Sequence, residues 1–151
     1  MKSKQAYLAG AMEASPDKGE NWRDKIKPEL IKLGYTVFDP TDKENASEVC
    51  DKLKEYKKHG KWDKFMEVVN EIQERDKTAV LSSSLVILRW DTSIKSYGTS
   101  DEIRWALDNN IPMYTVIYGN VTDESSWMIC KLHKTKLFES FNKLLDELKE
   151  K

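Results

Sequence analysis

Six carboxylates and hydroxyls of this chain could carry chemistry, because each lies at or near the predicted carboxyl end of a β-strand. They are Tyr7, Asp76, Asp91, Ser96, Thr99 and Glu102. Ligands of open α/β sheets bind beyond these ends, so side chains placed there are well positioned to react. Glu102 has the best placement, since it falls in the predicted first turn of a helix that follows a polar loop ending at Gly98-Thr99. The available chemistry is proton transfer and nucleophilic attack.

Several other mechanisms lack their sequence signatures. The chain has no GxxxxGK[ST] phosphate loop, no GxGxxG dinucleotide motif and no GxSxG nucleophile elbow. His59 and His133 lie among lysines, which favours solvent-exposed side chains over metal ligands. Cys50 and Cys130 fit no zinc spacing and indicate ordinary thiols in a reduced setting. We therefore expect neither a metal nor a cofactor.

The bulk composition limits the partners and the location. Lys plus Arg number 25 against 26 for Asp plus Glu, so the net charge of -1 disfavours nucleic-acid polymers and anionic membranes as partners. No run of eighteen apolar residues is present, and the amino-terminal apolar stretch is too short for a signal peptide. We expect a soluble cytoplasmic protein whose 151 residues form one domain.

The apolar patterns predict the elements that position the candidate residues. Strands are predicted at 5–10, 35–38, from 85 to about 90, and 112–118, with a small-residue turn at Ala9-Gly10-Ala11 that lets a ligand approach the backbone. Helices are predicted at 20–33, with a kink or break at Pro28, and then at 46–57, 61–78, from 102 to about 109, from 125, and 136–151. The alternation predicts a single-domain α/β fold of flavodoxin or Rossmann type, with a mainly parallel sheet of four or five strands flanked by helices.

Several of these segments together resemble the nucleoside 2-deoxyribosyltransferase family, including its relatives that hydrolyse nucleoside 5'-monophosphates. They are YLAG at 7–10, Gly34-Tyr35 before the second strand, an acidic residue ahead of the third strand, and GTSDEI at 98–103. The resemblance runs in the same order across nearly the whole chain. It implies an enzyme of nucleotide salvage that acts on a nucleoside or nucleotide and a free nucleobase. It also implies a homo-oligomer whose sites are shared between subunits.

The resemblance assigns roles to individual residues. Glu102 matches the family's nucleophile, which would bond to the anomeric carbon of the sugar, and Tyr7 would orient its carboxylate. Asp76 matches an acid that contacts the sugar or assists the leaving base. Asp91 competes for this role on a different ground, because it lies directly at a predicted strand end. The substrate-binding set is Gly10, Asp91, Ser96, Gly98, Thr99 and Ser126.

The sequence leaves the substrate and the reaction open. Ser96 favours the monophosphate hydrolases, and so does Ser126, which resembles a serine that those enzymes supply from the neighbouring subunit. Ala11 and Glu13, in contrast, stand where those enzymes have a serine and an arginine. Transfer of deoxyribose between bases is the first expectation, and hydrolysis of a deoxynucleoside 5'-monophosphate is the alternative. A nucleotide-binding module without turnover is a third. Trp90 is interpreted as a packing residue, with stacking on a nucleobase as the alternative.

Overall fold

The computed structural model describes residues 4–42 and 46–151, so residues 43–45 of the charged middle segment and residues 1–3 lie outside the described part. In chain order its main elements are β1 (Gln5–Gly10), α1 (Glu20–Lys32), β2 (Thr36–Phe38), α2 (Ala46–Lys58), α3 (Trp62–Ser82), β3 (Leu85–Asp91), α4 (Tyr97–Asp108), β4 (Met113–Tyr118), α5 (Ser126–Leu132), β5 (Lys136–Phe138) and α6 (Phe141–Lys149). In these ranges, no helix is long and apolar enough to span a membrane.

The five strands form one sheet in the order β2-β1-β3-β4-β5, and each described pairing is parallel. The predicted α/β fold class is therefore confirmed, with five strands. The chain order changes direction between β1 and β3, and in sheets of this kind ligands bind outside the strand ends at that point. The fold thus places the ends of β1 and β3 where the candidate residues are needed.

Alternation along the strands divides the core between the two faces of the sheet. Tyr7, Val86, Leu88 and Trp90 point to the face covered by α3, α4 and α5. Leu8 and the alternate residues of β3 point to the opposite face, where α1 and α6 pack. Consecutive residues at a strand end therefore project toward different layers of helices.

The carboxyl-terminal segment differs from the prediction of one helix over 136–151. Lys136–Phe138 forms β5 and pairs with β4, and α6 begins only at Phe141. Ser140 stops the helix from extending backwards, because it has extended backbone dihedrals and its side chain accepts a hydrogen bond from the Lys143 N–H. The apolar face of α6 then packs on the sheet through its three buried leucines.

Two helices differ from their predicted courses. Helix α1 continues through Pro28 as one element, so the predicted break is absent. Pro28 and Asp24 are both exposed, so water can replace the hydrogen bond that proline removes. Helix α4 begins at Tyr97, five residues before Glu102, so Glu102 lies in its second turn rather than in the predicted first turn.

Candidate active site

Glu102 lies on the buried stripe of α4, together with Thr99, Ile103 and Ala106. Only 8% of its surface is exposed. The hydroxyl of Tyr7, on β1, donates a hydrogen bond to Oε2 of Glu102. Tyr7 is fully buried and stacks on Phe38 of β2, with ring centroids 5.3 Å apart. Strand packing thus fixes the phenol that holds the carboxyl group.

The surroundings of Glu102 favour its protonated form. Burial raises the pKa of Glu102 to about 8, and the negative charges of Asp76 and Asp101 act in the same direction. The Tyr7 hydrogen bond and the Arg23 charge oppose this increase. Burial, followed by the Glu102 charge, also raises the pKa of Tyr7 well above its usual value, so the phenol remains a donor. At neutral pH the protonated form of Glu102 is therefore favoured.

A cavity of about 610 Å³ adjoins Glu102. Its walls come from the end of β1 and the following loop, from α2 and α3, and from the beginning of α4. Six of the predicted site residues line it: Gly10, Asp76, Ser96, Gly98, Thr99 and Glu102. The volume is in the range of small-molecule sites. The fold therefore brings together most of the residues that the sequence singled out.

Asp76 reaches this cavity from α3. Its side chain is 15% exposed, and Arg75 Nε donates a 2.9 Å hydrogen bond to its Oδ1. It is close enough to raise the pKa of both Tyr7 and Glu102. Asp76 is thus a second acid beside the buried one.

The hydroxyls and glycines of the site lie at the carboxyl end of β1 and at the start of α4. Ser96 precedes α4, and its Oγ shares a hydrogen bond with the buried Thr99 Oγ1. A Cβ on Gly10 would lie 3.0 Å from the Arg89 carbonyl oxygen, so glycine allows the strands to approach there. A Cβ on Gly98 would meet no atom within 4 Å.

Asp91 lies in a different place. It lines a second cavity of about 920 Å³ between α1 and α6, on the other face of the sheet. Its Oδ1 accepts hydrogen bonds from the Ser93 N–H at 2.9 Å and the Ser93 hydroxyl at 2.6 Å. The two-residue alternation of β3 explains the separation, because Trp90 faces the α4 side and Asp91 faces away. Trp90 is buried in the core, and its Nε1 donates a 2.7 Å hydrogen bond to Glu124.

Ser126 also lies outside the walls of the Glu102 cavity. It is the exposed first residue of α5, and the helix is capped by Ser125, whose side chain accepts from the Met128 N–H. A role for Ser126 in the site of a neighbouring subunit stays a prediction.

The main residue that the sequence reasoning missed is Arg23. It is completely buried and lines the Glu102 cavity. Its position was readable, because Arg23, Ile26 and Leu30 fall at spacings of three and four on the buried stripe of α1. A charged residue on an apolar stripe is the signal that could have identified it.

The cavity also has basic and apolar walls that were not predicted. The basic side chains are Lys54, Lys57 and Lys95, and the apolar wall is formed largely by Val49, Leu53, Val69, Ile72 and Trp105. Glu13 lines the cavity as well, but it is paired with Lys57 at 3.3 Å. Within residues 4–42 and 46–151, no group of three His, Cys, Asp or Glu side chains is arranged to hold a metal ion.

In sequence comparisons, no protein-family model matches the chain and no curated protein matches it. Comparison of structures finds a 2-deoxyribosyltransferase from the bacterium Bacillus psychrosaccharolyticus, with a TM-score of 0.60 and 16% identity over 93% of this chain and 90% of that one. It also finds a 2-deoxyribosyltransferase from Leishmania mexicana, with a TM-score of 0.51 and 16% identity over 76% of this chain. The match spans 64% of the Leishmania protein. The resemblance seen in the sequence is thus confirmed at the level of the fold.

Proposed function

We propose that the protein cleaves the N-glycosidic bond of a 2'-deoxynucleoside and transfers the deoxyribosyl group to another base. One observation carries the proposal: the buried Glu102 carboxyl is held by the Tyr7 hydroxyl in the wall of a cavity that Asp76 also lines. The shared fold with two 2-deoxyribosyltransferases supports the same reaction class.

In the first step, the Glu102 carboxylate attacks the anomeric carbon C1' as the bond from C1' to the base nitrogen breaks. The electron pair of that bond leaves with the base, which takes a proton from Asp76 or from water. The sugar becomes esterified to Glu102 after an oxocarbenium-like transition state. In the second step, a nitrogen of the acceptor base attacks C1' as the bond from C1' to the Glu102 carboxylate breaks, and that nitrogen gives its proton to Asp76 or to water, whichever supplied the proton in the first step.

The raised pKa of Glu102 bears on this mechanism, since only the carboxylate is a nucleophile. The Tyr7 hydrogen bond stabilises the carboxylate, while burial keeps it poorly solvated and therefore reactive. The Asp76 carboxyl lies near enough to influence Glu102 and lines the same cavity, so it is our candidate for the group that gives a proton to the departing base.

Hydrolysis of a deoxynucleoside 5'-monophosphate is the second candidate. It is favoured by Ser96 in the cavity wall and by the neighbouring Lys95, which could both face a phosphate. The acidic Glu13 is engaged with Lys57, so it opposes a phosphate less than its charge alone suggests. In this reaction, water takes the place of the acceptor base.

One experiment distinguishes these functions. The protein is incubated with deoxynucleosides and their 5'-monophosphates, with and without a free acceptor base, and the products are identified by chromatography. Transfer predicts a new nucleoside only when acceptor is present, and hydrolysis predicts free base and sugar phosphate without it. Binding with no product after long incubation would contradict both and favour a nucleotide-binding module. Glu102→Gln should abolish turnover, whereas Asp108→Asn at the exposed end of the same helix should not.

The two candidate acids can be ranked by substitution. Asp76→Asn should lower the rate of base exchange by about 10- to 100-fold, the range expected for loss of a general acid. Asp91→Asn should cost less than about threefold, because its carboxylate lies in the cavity on the other face of the sheet. Steady-state rates at one pH check this order, and a larger loss from Asp91→Asn would contradict it.

We also propose that the active form is a homo-oligomer in which Ser126 contributes to a neighbouring site. The motivation is that Ser126 is exposed and does not line the cavity of its own chain. Sedimentation at assay concentrations tests this proposal. A strictly monomeric active protein would refute it.

A further inference from the structure

The amino end of α1 brings a buried arginine to the active-site cavity. Arg23 has no exposed surface, yet its guanidinium contacts the last residues of β1, and Arg23 lines the same cavity as Glu102. Removing a charge from water is unfavourable unless hydrogen bonds and opposite charges compensate it. The contacts of Arg23 therefore indicate what holds it there.

The guanidinium donates hydrogen bonds to three backbone carbonyls. Nη2 donates to Gly10 at 3.0 Å and, with Nε, to Leu8 at 3.2 and 3.3 Å, while Nη1 donates to Gly19 at 2.8 Å. Leu8 and Gly10 are among the last three residues of strand β1, which also carries Tyr7, and Gly19 precedes α1. Arg23 thus ties both ends of the loop 11–19 to the strand that positions the phenol.

The charge of Arg23 is only partly neutralised. Its Nε lies 3.8 Å from Oδ1 of the buried Asp39, but the other oxygen of Asp39 is 2.8 Å from Lys27 Nζ. Asp39 is therefore shared between two cations, with Lys27 as the nearer one. The remaining positive charge of Arg23 acts across a medium from which water is largely excluded.

We propose that Arg23 is a positioning residue of this site, which fixes the strand end that carries Tyr7 and places a buried positive charge in the wall of the cavity that Glu102 also lines. This inference rests on the proposed function for its meaning in catalysis. In physical terms, the positive charge of Arg23 favours the ionised form of Glu102 and so lowers the pKa of the Glu102 carboxyl.

Other ionisable groups also surround Glu102, and each substitution leaves them in place. They are Tyr7 on β1, Arg75 and Asp76 on α3, Asp101 on α4, and the cavity-lining Glu13, Lys54, Lys57 and Lys95. The negative groups Asp76 and Asp101 raise the pKa of Glu102, whereas Arg23 lowers it. Because a substitution of Arg23 leaves both carboxylates in the chain, a change in the Glu102 titration can be assigned to Arg23.

The test is a direct titration of the Glu102 carboxyl by ¹³C NMR, with the signal assigned from its absence in Glu102→Gln. We expect Arg23→Gln to lower the ionisation constant of Glu102 about tenfold or more, which displaces the titration to higher pH. Arg23→Lys keeps the charge and loses hydrogen bonds, so its ionisation constant should stay within about threefold of the wild-type value. Lys25→Gln, on the exposed part of the same helix, is the matched control and should leave the titration unchanged.

An unchanged titration in folded Arg23→Gln would overturn the inference. If Arg23→Gln does not fold, a tenfold fall in Arg23→Lys would overturn it instead, because the charge is then not the cause. The titration needs no substrate, so it tests Arg23 even if the wild-type protein cleaves no nucleoside. A wild-type protein that cleaves no nucleoside would refute the proposed function and leave the inference about Arg23 unaffected.

Discussion

Replacing Tyr7 with Phe should lower activity in a way that depends on pH. The substitution removes the hydroxyl that donates to Glu102 and changes little else in the stacked pair with Phe38. A hydrogen bond to a charged group contributes about 1.5 to 3 kcal/mol. Since 1.36 kcal/mol corresponds to a factor of ten, the ionisation constant of Glu102 should fall by about 10- to 100-fold.

The deficit in base exchange should therefore be largest at neutral pH. With the wild-type pKa at about 8, most Glu102 is protonated at pH 7, so the loss of carboxylate appears there in full as a 10- to 100-fold lower kcat/KM. By about pH 9 the wild-type carboxyl is mostly ionised, while the variant is still gaining carboxylate, so the deficit should narrow to several-fold. The assay is kcat/KM for base exchange from pH 6 to pH 9.5.

Tyr35→Phe serves as the control, because Tyr35 packs against the core on the other face of the sheet. It should change kcat/KM by less than about twofold at every pH. A Tyr7→Phe deficit of equal size at pH 7 and pH 9 would refute the reasoning, since the hydroxyl would then act on something other than the ionisation of Glu102.

Three further predictions concern stability. Glu102→Gln removes an acid whose pKa is raised from 4.5 in the unfolded chain to about 8 in the folded protein. The loss of folding stability that this shift causes is absent below pH 4.5 and complete above pH 8. The unfolding temperature of the variant should therefore exceed that of the wild type by several degrees at pH 9 and by little at pH 5. Gly19→Ala should lower the free energy of unfolding by about 1 to 3 kcal/mol in denaturant, because Gly19 has a φ of +81° and an added Cβ would clash with Arg23. Gly98→Ala, within α4, is the control and should leave the free energy of unfolding unchanged or increase it. Ser140→Ala should lose about 1 kcal/mol in the same assay through loss of the α6 cap, and an unchanged midpoint would show that the cap is dispensable.

The predictable parts of the fold are those whose local pattern agrees with their tertiary environment. Strands β1, β3 and β4 are apolar runs with short polar boundaries, and they are confirmed with small changes at their ends. Strand β5 was not separable from α6 by pattern, because Leu137 and Phe138 continue the helical spacing of Phe141 and Leu144. Pairing with β4, which is distant in sequence, decides its conformation. Ser140 was the one local signal against a continuous helix.

The site was predictable where a side chain's direction follows from its element. Tyr7 and Glu102 meet because β1 and α4 direct them to the same face of the sheet. Asp91 was assigned from its position at a strand end, although alternation with the apolar Trp90 already indicated the opposite face. The position of Arg23 on the apolar stripe of α1 was readable, but its partners were not, because they lie on β1 and at the end of the loop that precedes α1.

The position of Glu102 on the core-facing stripe of α4 has a consequence for how this sequence can evolve. An uncharged side chain of similar size at this position removes the cost of burying an ionisable acid, so some substitutions here should make the protein more stable. In the absence of selection for activity, this glutamate would be readily replaced. A protein that retains it has a lower folding stability than one with an uncharged residue there. Laboratory selection for thermostability alone should accordingly recover substitutions at position 102, and under the proposed function those variants should no longer exchange bases.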